Sequence, residues 1–150
     1  TLNEDMPMND EFTNKGGWKD SALRKKLNNT VFNDLPSDLQ VVIKPTVKLT
    51  GTGGKEPKMG ETVDKLFILS EQEIFGRKIY SMGGEGRWYD WYRQENTEYG
   101  KCKQNGERDW RWERSPRSGD TNFFCLVDSD GGASYGDAYG GSGVSFGFCV

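Results

Sequence analysis

The chain has 150 residues, 33% of them hydrophobic and 13% aromatic, with five tryptophans and a formal net charge of -3. That length accommodates one domain with its own core rather than two, and large aromatic side chains supply burial where aliphatic residues are few, which argues against disorder. The pI of about 5.1 gives no global attraction to nucleic acid, and no apolar run is long enough to cross a membrane.

In chain order, residues 1–17 are polar and without periodicity and read as an N-terminal arm or irregular lead-in, leaving 18–150 as a single domain. No signal-peptide pattern opens the sequence, and a first residue of Thr1 fits a processed product or a piece of a longer chain. Leu23, Leu27 and Val31 recur every four residues behind Asp20 or Ser21 as N-cap, which predicts a helix over about 20–32. A second helix fits LPSDLQVVIKP, with Pro36 in its first turn and Pro45 forcing its end near Lys44.

VKLT then leads into TGTGGKEPKMGET, whose glycines and lysines read as an exposed loop. KLFILS reads as a short buried strand. Ser70 and Glu73 have the spacing of a capping box and Gly76 supplies a stop, so a turn or two of helix follows. From Arg77 to Asp109 the chain is polar and aromatic without a period, which predicts loops with short strands. Beyond Pro116, NFFCLVDSDGGASYG alternates Phe123, Cys125 and Val127 against Asn122, Phe124, Leu126 and Asp128, then offers Asp130-Gly131-Gly132 as a hairpin turn. GVSFGFCV is the closing strand. Helices first and a small antiparallel sheet afterwards make an α+β arrangement.

The residues limit the chemistry. Histidine is absent, which removes Ser-His and Cys-His pairs and the commonest general base. Ser115 has no G-x-S-x-G context, and Pro116 after it fits a structural turn. Three cysteines, Cys102, Cys125 and Cys149, form no C-x-x-C and cannot all pair within the chain; a Cys125–Cys149 bridge and buried thiols in neighbouring strands are both compatible with them. VDSDGG resembles the opening of a calcium loop, yet the position of the last acidic ligand, counted from Asp128, falls on Tyr139. The glycine-rich tail from Gly131 to Gly143 is followed by no helix that could cradle phosphate. No metal, cofactor or catalytic residue is therefore expected.

Taken together, the blocks GGW-x-x-S-x-L-R-x-x-LN (Gly16 to Asn28), LP-x-x-LQ-x-x-IKP (Leu35 to Pro45), DKLF-x-LSEQE-x-FG (Asp64 to Gly76), W-x-RSP (Trp112 to Pro116), NF-x-x-VDSDG (Asn122 to Gly131) and GV-x-FGFCV (Gly143 to Val150) resemble an uncharacterised domain family of gut bacteria and their phages. That family is similar in pattern to the C-type-lectin-like fold, in the branch of formylglycine-generating enzymes and the variable proteins of diversity-generating retroelements. The resemblance implies a C-type-lectin-like α+β scaffold of two N-terminal helices, a small antiparallel sheet and long irregular loops that display a ligand-binding face. It carries no calcium-dependent sugar signature, Glu-Pro-Asn or Trp-Asn-Asp. Formylglycine-generating enzymes use a closely spaced cysteine pair that binds copper, whereas Cys125 and Cys149 are far apart in sequence; an oxidoreductase built on them is the alternative function.

Arg114 is expected to be buried, because one guanidinium can tie several carbonyls or a carboxylate together. Trp112 to Pro116 then form a structural seam, with Trp18, Phe67, Phe75, Phe146 and Phe148 as further core candidates. The residues expected to face outward are Trp110, Arg117, Asp120, Asn122, Phe124, Asp128, Tyr135, Asp137, Tyr139 and Ser142. Tyr and Trp with Ser, Asn and Gly are the composition of adaptable recognition surfaces; the same composition also makes strand edges and turns. A second aromatic cluster, RWYDWYRQENTEYG from Arg87 to Gly100, either flanks that face or is partly buried. The expected function is non-enzymatic recognition of a protein or glycan on a cell surface, in a phage tail or bacterial surface protein, without nucleic acid or membrane insertion. A purely architectural oligomerisation module is the third possibility.

Overall fold

The computed structural model describes residues 1–94, 103–104 and 107–150. Its α-helices lie in the first half, α1 (Gly17–Asp20), α2 (Ala22–Lys26) running into a wide π turn (Leu27–Val31), α3 (Ser37–Val42) and α4 (Glu71–Phe75), and a short 3-10 helix follows at Asp90–Arg93. Its strands are β1 (Thr46–Gly51), β2 (Met59–Asp64), β3 (Phe67–Ile68), β4 (Lys103–Gln104), β5 (Glu107–Arg108), β6 (Arg111–Pro116), β7 (Phe123–Val127), β8 (Ala133–Asp137) and β9 (Phe146–Gly147). This is an α+β molecule with small antiparallel sheets, as its sequence indicates. No helix among the described residues is long and apolar enough to cross a membrane.

The first helix divides at Ser21. Its backbone is extended there, its hydroxyl accepts the Arg24 N–H at 3.1 Å, and it donates to the Trp18 carbonyl at 2.9 Å. One serine thus ends α1 and caps α2, so the helical region begins earlier than periodicity predicts. Leu23 and Leu27 still point into the core. The second helix is shorter than expected and buries none of its residues.

TGTGGKEPKMGET is loop in its middle, and its two ends prove to be strand. β1 and β2 form a hairpin in register Lys48↔Thr62 and Val47↔Val63, and only the segment between them is loop. Its amphipathicity is inverted: Lys48, Thr50, Thr62 and Asp64 are buried while Val47, Leu49 and Val63 are exposed. Inward polar groups need partners, and they have them. Asp64 accepts from Trp18 Nε1 at 2.9 Å, Thr62 Oγ1 at 2.7 Å and Arg24 Nε at 2.6 Å.

The main sheet has the order β6-β7-β8. From Phe124 to Val127 every residue of the central strand is buried, so alternation describes its two covered faces and not an inside and an outside. On one face Phe124 and Leu126 join Trp112, Trp18, Leu23 and Ile68 in the main core, and on the other Val127 packs with Ile74. Residues 1–17 are irregular but stitched to the C-terminal third. Met8 and Asn14 are buried, Met6 bridges Ser142, and Trp112 Nε1 donates to the Met6 carbonyl at 2.6 Å. The lead-in is therefore a layer of the fold and not a free arm.

Candidate functional site

The site rests on β6, whose six residues are all buried. Arg114 lies at its centre and uses all five of its N–H groups: Nε to Thr50 Oγ1 at 2.9 Å, one terminal nitrogen to the Ile68 carbonyl at 3.0 Å and Glu73 at 2.5 Å, the other to the carbonyls of Leu49 at 3.2 Å and Glu85 at 2.7 Å. A planar fork is the one side chain able to join the β1 hairpin, β3, α4 and the loop around Glu85 at a single point. Burial alone would raise Glu73, but the Arg114 guanidinium, with Lys48 at 3.0 Å, holds its carboxyl below the usual range. Glu85, which accepts from the Gly51 N–H at 2.7 Å and from Ser115 Oγ, is pushed up to about 7 by burial. Ser115 thus donates to a buried acid, donates nothing to solvent, and accepts the Glu71 N–H at 3.0 Å. That is a structural role.

Where β6 emerges, Trp110 is 42% exposed and forms one wall of a cleft of about 280 Å³. Trp112, Leu126 and Gly136 form its floor, and Asp5, Asp109, Asp137 and Ser142 its polar rim. In that floor Gly136 packs directly on the other two, since a Cβ there would stand 2.8 Å from Leu126 and 3.3 Å from the Trp112 ring. Among the described residues no lysine or arginine lines the cleft, and three carboxylates set its electrostatics. A larger cleft of about 450 Å³ lies between Thr13–Gly16 and the loop from Thr52 to Glu56, but no aromatic side chain among the described residues lines it.

Trp110, Asp137 and Ser142 are thus brought together, with Tyr139 on the same turn. Ser142 is mostly buried, where outward exposure was expected, because its backbone is clamped to Met6 in both directions. Tyr139 is 53% exposed and its ring lies 5.2 Å from that of Phe12. Arg117 and Tyr135 form a separate cluster: the guanidinium sits 3.9 Å over the Tyr135 ring, which also packs edge-on against Tyr80 at 5.0 Å. Asp120 and Asp128 cap turns, Asp120 Oδ1 accepting the Asn122 and Phe123 N–H groups and Asp128 Oδ1 those of Asp130 and Gly132. Asn122 is exposed beside them.

Two further expectations are corrected. Phe124, expected on the outward face, is fully buried because β7 is the central strand with both faces covered. Phe148, expected in the core, is 39% exposed, since only Phe146 and Gly147 of the closing strand pair with β3. Trp18, Trp112, Arg114, Phe67 and Pro116 are buried, and Phe146 and Phe75 half-buried. Cys125 is buried in β7 and Cys149 is exposed, both as free thiols. Cys102 and Glu95 to Gly100 of the second aromatic cluster lie outside the described residues; Tyr92, within them, packs against Ile74 and Val127. Sequence reasoning missed Asp5 and Asp109, which carry no local signal, and the buried Glu71, Glu85 and Glu113, which look like surface charges.

Fold and site define an α+β domain with a small antiparallel sheet and an acidic, tryptophan-walled cleft. The chain belongs to the family described as Domain of unknown function (DUF6273), whose model matches residues 1–150. No curated protein and no solved structure matches it.

Proposed function

We propose that the chain is a non-enzymatic recognition domain of C-type-lectin-like fold that binds one residue of a surface ligand in the Trp110 cleft. The observation that carries this reading is one cleft lined by an exposed indole and three carboxylates over a closely packed floor of Trp112, Leu126 and Gly136. An indole face binds the C–H face of a sugar or a cation, and carboxylates accept from sugar hydroxyls or from ammonium and guanidinium groups. An acidic rim repels uronate, sialate and phosphate. The cleft is near the lower end of the size of small-ligand sites, roughly 300 Å³, which suits a single neutral or amino sugar, or one Lys or Arg side chain of a protein.

The resemblance to lectin-like variable proteins supports the fold assignment and a setting at a bacterial or virion surface. Support for a non-catalytic role comes from Ser115 and Arg114, whose polar groups are used up inside the fold.

The test is a screen of the labelled domain against arrays of bacterial glycans and of Lys- or Arg-containing peptides, with Trp110→Ala alongside. Selective binding to neutral or amino sugars, or to basic peptides, that Trp110→Ala weakens at least about tenfold is expected. Binding confined to acidic glycans, or unchanged by Trp110→Ala, contradicts the proposed site.

A further inference from the structure

Four glutamates lie inside the molecule: Glu71, Glu73, Glu85 and Glu113. Glu73 has Arg114 and Lys48, and Glu85 has Ser115 and the Gly51 N–H. Glu71 accepts three backbone N–H groups, those of Ile79 at 2.7 Å and Ser81 at 2.9 Å on one oxygen and Tyr80 at 2.8 Å on the other. Glu113 is fully buried, yet among the described residues neither of its oxygens has a hydrogen-bond partner. Burying an unsatisfied carboxyl costs several kcal/mol, so something must complete it.

What it faces is specific. One oxygen of Glu113, one of Glu71 and the Cys125 sulfur all lie within 4.8 Å of one another, and all three residues are buried. They come from three elements: the first residue of α4, the middle of β6 and the middle of β7. A carboxylate has about four lone-pair positions; three on Glu71 are taken by N–H groups, leaving about one for this cluster.

We propose that Glu71, Glu113 and Cys125 hold one divalent d-block cation of the zinc class as a buried structural staple joining α4 to the main sheet. A proton on Glu113 is the simpler occupant, but it covers one oxygen and leaves the other with no donor among the described residues. A cation satisfies all three groups at once. Both Glu113 oxygens are unengaged, so bidentate binding gives four donor atoms from three residues. The thiolate argues against Mg²⁺ and Ca²⁺, and the two carboxylates argue against Cu⁺, which leaves Zn²⁺ and its neighbours. Zn–S and Zn–O bonds of about 2.3 and 2.0–2.2 Å put ligand atoms roughly 3.5 Å apart, so the cluster closes by about 1 Å of side-chain movement.

Without the ion, burial raises the Cys125 thiol and the Glu113 carboxyl well above their usual ranges, with Glu71 adding to both and Arg111 opposing on Glu113. A thiol binds the cation as thiolate, so loading releases the Cys125 thiol proton to solvent and affinity rises with pH. The ligands are far apart in sequence, so no spacing motif announces them.

The experiment uses the full chain with Cys102 and Cys149 changed to Ser, unfolded in chelator and refolded with and without Zn²⁺ or Co²⁺. Expected are a metal-to-chain ratio near one, a thiolate-to-cobalt charge-transfer band, and a melting temperature raised by roughly 5–15 °C at 100- to 1,000-fold Kd. Cys125→Ser abolishes the band, and Glu113→Gln abolishes stoichiometric binding. Refolding without bound metal and without the band overturns the proposal, as does a Glu113→Gln chain that is more stable in chelator and still binds one equivalent. Should the variants not fold, the ratio and the band of the parent chain decide alone.

Discussion

Arg114 is a cation with no contact with solvent, and its five N–H groups reach five acceptors. Removing it leaves Glu73 beside Lys48 alone and takes a donor from three carbonyls, so Arg114→Met lowers unfolding free energy by about 3–5 kcal/mol, measured by urea denaturation; a loss under about 1 kcal/mol shows that the hub is dispensable. Two acids in the same network respond oppositely to pH. Glu85 has its value raised from 4.5 to about 7, so the folded state holds a proton that the unfolded chain releases. Its contribution is full below 4.5 and is lost as the pH rises to about 7. Glu73 is lowered from 4.5, so its contribution is present above that value and lost as the pH falls further. Glu85→Gln, whose amide keeps an acceptor for Gly51 and a donor toward Ser115, removes a decline on the order of 3 kcal/mol between about pH 4.5 and 7. Urea midpoints across that range check it, and an unchanged slope assigns the titration elsewhere. Arg114 was legible in the sequence from its place between two seam residues; the glutamates that surround it were not, because nothing local distinguishes a buried glutamate from a surface one.

Among the elements, α4 was the most legible, since a capping box is written in four residues. Ser70 Oγ accepts the Glu73 N–H at 3.2 Å, Glu73 accepts the Ser70 N–H at 3.0 Å, and Gly76 ends the helix with a left-handed φ of 75°. The β1–β2 hairpin was the least legible. Its valines face out and its lysine faces in, so alternation points to the wrong side and the glycines read as loop. Lys48 is held by Glu73 at 3.0 Å, Tyr89 at 2.9 Å and the Phe67 ring at 3.8 Å, contacts that only the assembled fold supplies. The consequence inverts the usual ranking of substitutions. Val47→Thr and Val63→Thr shift stability by no more than about 0.5 kcal/mol, whereas Lys48→Met costs on the order of 3 kcal/mol by leaving Glu73 less compensated. Equal costs at the three positions, read from urea midpoints, would show that the apolar face is covered in solution.

At the scale of the molecule, the two ends of the chain are interleaved. Leu2, Met6 and Asn9 donate backbone hydrogen bonds to Val144, Ser142 and Ala138 at 2.9–3.0 Å, and Asn14 reaches the carbonyls of Asp120 at 3.1 Å and Phe123 at 2.9 Å. Polar composition without periodicity concealed this, because such a segment gains its order from distant partners. Deleting residues 1–14 removes the buried Met8 and Asn14 and is expected to abolish cooperative unfolding in a thermal melt; a sharp transition would return these residues to the status of an arm. The same interleaving builds the cleft, since Asp5 lies in its rim and the turn from Asp137 to Ser142 forms its side. The scaffold is then rigid beneath a small exposed surface, and the two are separable. The measurement that separates them is the urea stability of the Trp110→Ala, Asp137→Asn double variant, taken together with its affinity for the strongest array ligand. Stability within about 1 kcal/mol of the parent and affinity reduced at least about a hundredfold is the predicted result. Unfolding of the variant, or full affinity in a folded one, would contradict the placing of recognition in this cleft.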